Sequence, residues 1–138
     1  MNTRFAIALL LLLTAGPAAA QGAPILGIVW QWQETRYNDD RRTAPAKPER
    51  YAVRFGEDGM LDVRADCNLK GGTYTLEGKQ LAIEIVTSTR AACEPGSLEE
   101  EFVRNLAAGA VLFLREGNLY IDLRYDTGTM RLAAQPSR

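Results

Sequence analysis

Tyr51-Ala52-Val53-Arg54-Phe55-Gly56-Glu57-Asp58-Gly59-Met60-Leu61-Asp62-Val63-Arg64-Ala65 sets the fold class. Tyr51, Val53 and Phe55 alternate with Ala52 and Arg54, and Leu61, Val63 and Ala65 alternate with Asp62, Arg64 and Asp66. A period of two puts one side of each segment against a core and the other in water, and Gly56-Glu57-Asp58-Gly59 supplies the turn between them. This is a β-hairpin. The pattern recurs downstream: Tyr74 and Leu76, a Glu77-Gly78-Lys79 turn, then Leu81, Ile83 and Ile85. A third hairpin runs from Val111–Leu114 through Glu116-Gly117-Asn118 to Leu119, Ile121 and Leu123, and Asp126-Thr127-Gly128 turns once more into Met130 and Leu132. Upstream, Ile28 to Gln33 forms an opening strand carrying Trp30 and Trp32.

One segment has a different period. Leu98, Phe102, Val103, Leu106 and Ala110 share a helical face, which predicts one amphipathic helix over about residues 98–108. Ser97-Leu98-Glu99-Glu100 matches a capping box, and Glu99, Glu100 and Glu101 suit the positive end of a helix dipole. Residues 37–49 (YNDDRRTAPAKPE) are polar and aperiodic, a long loop of the kind that is either functional or mobile. The architecture expected is therefore mainly β (α+β): a small antiparallel β-barrel-like domain of about 7–8 strands with one covering α-helix.

The N-terminus indicates export. Arg4 precedes the apolar run Phe5–Leu13, Gly16 and Pro17 follow, and Ala18-Ala19-Ala20 provides the small residues of a cleavage site. A basic start, a short apolar stretch and an A-x-A end describe a secretory signal peptide over residues 1–20. The run is too short to span a bilayer, which takes about 20 apolar residues. No cysteine near the cut offers a lipid attachment. Residues 21–138 then form a single domain, with its core over about residues 28–133, in the periplasm or outside the cell.

Composition removes whole classes of function. Sixteen basic against 17 acidic side chains give a net charge of −1, and the paired Arg41-Arg42 follows Asp39-Asp40. Nucleic-acid binding needs clustered, uncompensated cations, so it is not expected. The chain has 0 histidines, which rules out Ser-His-Asp and Cys-His machinery and nearly every zinc or copper site.

Several phrases occur in a recognisable order: Tyr51-x-Val53-x-Phe55, Gly56-x-Asp58-Gly59, Asp66-Cys67-Asn68, Gly72-x-Tyr74 and Thr89-Arg90-Ala91-Ala92-Cys93, with Trp30 before them and Glu101-Phe102 after. Together they resemble the META domain family, as in the heat-shock protein HslJ, over roughly Trp30 to Leu132. The chain departs from the family in having Asp66 where members commonly have glycine, and Ala91 where they often have methionine. The resemblance implies a compact β-barrel-like domain with one helix, found in bacterial envelopes and linked to stress. It implies neither a catalytic activity nor a ligand.

Cys67 and Cys93 are the only cysteines, and an even count in an exported chain reads as a disulfide. Closing a loop of roughly 25 residues constrains the unfolded chain by about 3.5 kcal/mol. Redox chemistry would call for a C-x-x-C spacing or a cationic neighbour, and only Arg90 is near in sequence. Asn68 is expected to close an Asx turn onto its own backbone. Trp30 and Trp32 share a strand face and are expected in the core, although exposed aromatics there, with Tyr37, would make a binding platform. Asp62 and Asp66, four apart on a strand, lie about 13 Å from each other and should be solvated. Glu99 and Glu101 are accounted for by capping, and no loop of EF-hand spacing turns Asp39 and Asp40 into a calcium site.

The function expected is that of an exported, non-enzymatic, monomeric envelope protein with a stress-related role. It needs no cofactor or metal, and its partner is a protein or a small ligand of the envelope. Two alternatives stay open: a periplasmic protein inhibitor acting through the 37–49 loop, and a carrier of small apolar ligands. The carrier requires an open barrel interior.

Overall fold

The computed structural model describes residues 24–137; the expected leader, residues 1–20, lies outside them. Alternation translates directly into burial. β1 (Val29–Tyr37) is followed by a two-residue β2 (Arg42–Thr43) and then by β3 (Tyr51–Phe55) and β4 (Met60–Ala65). In the β3–β4 hairpin Val53 faces Val63 and Phe55 faces Leu61, all buried, while Arg54 and Asp62 pair on the exposed side. β5 (Asn68–Glu77) and β6 (Gln80–Ser88) form the second hairpin, β7 (Gly109–Arg115) and β8 (Asn118–Leu123) the third, and β9 (Gly128–Ala134) is the last described strand.

The pairings between the named strands are antiparallel, with one isolated parallel bridge at Leu26↔Phe55, and β1 also pairs with β9, so the nine-stranded sheet closes into a ring. This is the barrel-like architecture expected from the hairpin pattern. The ninth strand is β2, a two-residue strand paired to the end of β1 at Thr35↔Thr43 and Arg36↔Arg42. The 37–49 segment is thus less free than its composition implies: β2 interrupts it, Pro45 is buried and Pro48–Arg50 form a 3-10 turn.

Between β6 and β7 the ladder shrinks to one pair, Gln80↔Val111. The chain between these two strands carries α1 (Glu99–Ala107), the one α-helix among the described residues. Phe102 and Leu106 are fully buried; the Phe102 ring stacks on Trp32 at 5.3 Å and meets Tyr51 edge-on at 5.7 Å. The capping box does not form as expected. Leu98 occupies the N-cap with no side-chain cap bond, and the Ser97 hydroxyl accepts instead from the Glu99 amide at 3.2 Å. The serine sits one residue too early for the box.

The interior is filled. Trp30 and Trp32 point inward at 3% and 0% exposure, with Leu119, Ile121, Met130 and Leu132 packed around them. Each indole N–H finds a partner, Trp30 at the Ile25 carbonyl and Trp32 at the Thr35 hydroxyl, as buried indoles require. An apolar carrier has no interior space in such a barrel, and neither tryptophan offers a surface platform. No helix among the described residues is long and apolar enough to cross a membrane.

Candidate functional site

Part of the motif that carried the family resemblance, Asp66, Cys67, Asn68, Thr89 and Cys93, converges where β4 hands over to β5. Asp66 sits between the strands with φ 56°, the left-handed conformation that glycine adopts freely and aspartate tolerates better than most residues. That geometry would be unstrained for a glycine. It also corrects the expectation that Asp66 shares a solvated strand face with Asp62: the Asp66 side chain is 8% exposed, whereas Asp62 is 67% exposed. Arg50 Nε donates to the Asp66 carboxylate at 2.5 Å. The Ser97 hydroxyl, with burial opposing it and Arg50 assisting, holds the Asp66 carboxyl below its ordinary range.

Cys67 and Cys93 follow from this turn. Their sulfurs lie 2.00 Å apart, at disulfide distance, and tie the β4–β5 corner to the segment leading into α1. Asn68 beside them is 2% exposed. It does not fold back on its own backbone as expected. Its Oδ1 accepts from the Ala91 amide at 2.8 Å and from the Thr89 hydroxyl at 2.9 Å. Its Nδ2 donates to the Ala91 carbonyl and to Glu99 Oε1, both at 2.9 Å. One amide side chain thereby does for residues 89–91 what a neighbouring strand would do, using both its donors and both lone pairs. Lys70 Nζ completes the cluster, 2.9 Å from Glu99 Oε1 and 2.7 Å from the Ser88 hydroxyl.

The two sulfurs and the Glu99 carboxylate fall within 4.8 Å of one another. Metals bind thiolate, and sulfurs joined to each other present none. In its oxidised form the cluster is a clamp rather than a ligand set. Glu99 and Glu101 are not simply capping charges: Glu99 serves the clamp, and Glu101 accepts from the Tyr37 hydroxyl at 2.5 Å.

The remaining motif residues are spread along the fold. A side chain at Gly72 would run into the Glu84 carbonyl, at the bulge between Gly71 and Gly72. Glycine is needed there for close strand approach. Tyr74 packs edge-on against Phe55 at 5.0 Å and donates to the Gly56 carbonyl at 2.5 Å, holding the first hairpin turn. Arg90 and Ala92 are exposed beside the clamp. Tyr37 turns inward, where Asn105 Nδ2 donates to its hydroxyl at 2.8 Å; burial first, then the bond to Glu101, push that hydroxyl above its ordinary value. Asn105, Lys70 and Glu99 are participants that sequence reading missed. The only cue was a buried-face asparagine between Phe102 and Leu106 on the helix.

The chain matches the family model described as META domain over residues 26–136. Among solved structures it is similar to a Burkholderia xenovorans protein determined by NMR, at 17% identity and TM-score 0.66, covering 82% of this chain and 85% of that one. It is also similar to a crystallised DUF4847 family protein from Bacteroides vulgatus, at 12% identity and TM-score 0.60, covering 83% and 97% respectively. At these identities the likeness is one of fold. No curated protein matches the chain.

Proposed function

Because this chain belongs to the META domain family, we propose that it is an exported, non-enzymatic binding protein of the bacterial envelope with a role in stress tolerance. The observation that carries this reading is the clamp. A disulfide-distance pair at Cys67 and Cys93 suits an oxidising compartment. The polar groups around it are spent on one another: Asn68 on Thr89, Ala91 and Glu99, and Lys70 on Glu99 and Ser88. Among the described residues no buried side-chain nitrogen or oxygen lacks a partner, a pattern that favours a rigid scaffold over a site awaiting substrate.

A second reading, a periplasmic protein inhibitor, is favoured by how residues 37–49 are held. β2 fastens to β1, Pro45 is buried, and Arg41 lies 4.5 Å above the Tyr37 ring while binding Asp39 at 2.8 Å. Asp39, Asp40 and Arg41 are presented as an exposed corner on a rigid frame, which is how loops reach partners with little ordering cost. Deleting Ala44 to Lys47 removes partner binding on this reading and leaves it intact on the first.

The proposal is tested by mass spectrometry of protein from the periplasmic fraction after alkylation without reductant. The expected product begins at Gln21 and carries no alkylated cysteine. A full-length, cytoplasmic chain with two alkylated thiols overturns it. Crosslinking in intact stressed cells then identifies what the scaffold holds.

A further inference from the structure

The β1–β9 register shifts between Trp32 and Glu34, so Gln33 is an extra residue in β1. Strict alternation from Trp30 and Trp32 would send Glu34 into the core. The bulge instead turns Thr35 inward, where it accepts from Trp32 and Asn105, and places Glu34 on the outer face. There the register aligns Glu34, Arg131, Tyr120 and Phe113 in one row across β1, β9, β8 and β7. Arg36 and Thr129 lie in the next row, with Arg42 of β2 opposite Arg36.

Glu34 sits beneath three guanidiniums. It accepts from Arg36 Nε at 3.2 Å, from Arg131 Nε at 3.3 Å, and from Arg42 Nε. Each of the three contacts is made through Nε. A fourth cation, Arg115, lies 4.8 Å from the Tyr120 ring centre and 5.8 Å from that of Phe113, two rings stacked at 5.3 Å. The one other carboxylate in these rows, Asp122, accepts from the Thr129 hydroxyl at 2.6 Å. Glu34, Arg36, Arg115, Tyr120, Thr129 and Arg131 line an open groove of about 530 Å³.

A single ion pair needs one arginine, and surface solubility needs no organised set. This arrangement holds like charges together by a shared, nearly buried carboxylate and an aromatic shelf, and leaves the groove with surplus positive charge. Guanidinium forks match carboxylate and phosphate oxygens in pairs, and forks already held in place lose little freedom on binding. The volume falls within the range of small-molecule sites. We infer that this outer groove binds a small multivalent oxyanion, a molecule carrying carboxylate or phosphate groups, through Arg36, Arg115 and Arg131. The groove uses strands that carry none of the clamp residues, and it holds whether or not the export and stress reading does.

The test is titration of the purified, oxidised protein with citrate and, separately, pyrophosphate at low salt, followed by NMR of the arginine Nε–H signals. Saturable shifts at Arg36, Arg115 and Arg131 are expected, and the stronger probe tells carboxylate from phosphate ligands. Arg131→Gln should weaken binding tenfold or more. Arg115→Gln should do the same without uncovering Glu34, which separates lost binding from lost folding. Arg54→Gln, on β3, should leave the affinity unchanged. No saturable shift with either probe, or equal losses in Arg54→Gln and Arg115→Gln, overturns the inference.

Discussion

Between β1 and β9 the ring closes through a ladder running from Trp30↔Ala134 to Tyr37↔Gly128, interrupted by one bulge. Between β6 and β7 it closes through Gln80↔Val111 alone. The first seam is held by backbone, and its side chains are left to fill the core on one face and to build the arginine groove on the other. The second has almost no ladder, and side chains hold the segment that joins its two strands: Phe102 packs α1 onto Trp32 and Tyr51, Asn68 ties down residues 89–91, and the cysteine pair fixes the approach to the helix. Where peptide groups supply the bonds, sequence is free to do chemistry outside. Where they do not, particular residues become indispensable.

The contrast can be broken most forcefully at Phe102. Truncation to alanine empties a site that Trp32 and Tyr51 rings share, and should cost about 3–5 kcal/mol in urea unfolding. A loss below about 1 kcal/mol would show that Phe102 does not anchor the helix between the strands of the weak seam. Replacing Cys67 and Cys93 together by serine should cost about 2–4 kcal/mol. Hydrogen exchange should then quicken first at residues 89–98 and leave the β1–β9 amides protected; a uniform increase would mean the two closures are not independent. Asn68→Ala leaves the Ala91 amide and carbonyl without their partner and should cost about 1–3 kcal/mol, with the same local exchange signature.

The smallest effect lies on the strong seam. Burial pushes the Glu34 carboxyl up, but the hydrogen bonds from Arg42, Arg131 and Arg36 outweigh it, so its pKa falls below the ordinary 4.5. A group depressed in the folded state contributes stability above its unfolded pKa and loses it as pH falls through the folded value. Stability curves of the native protein and Glu34→Gln should therefore differ at pH 6 and converge below pH 4.5. Parallel curves would remove Glu34 from the acid response.

The hairpins were legible because alternation and glycine turns are local signals, and so was the inward pointing of Trp30 and Trp32. The 3.6-residue spacing from Leu98 to Leu106 likewise revealed the helix. What failed to show had non-local or sub-threshold causes. β2 is two polar residues, too short for any period to register. Asn68 reads as a turn residue because its partners lie more than 20 positions away. Glu34 follows Trp30 and Trp32 in perfect alternation, and only the extra residue at Gln33 moves it outward. The clamp cysteines could be found by parity and compartment, whereas the lysine and glutamate beside them look like ordinary surface charge until the chain is folded.

Joining the first strand to the last has a consequence for a chain that is synthesised in order from its N-terminus. β1 appears early and must wait unpaired on one side until Gly128–Ala134 follow. A product ending before Gly128 would lack β9 and, with it, Met130 and Leu132 of the core. It would expose β1 and β8 together as open edges, each a template for copies of itself. Premature termination should therefore yield insoluble assemblies rather than a slightly weakened monomer.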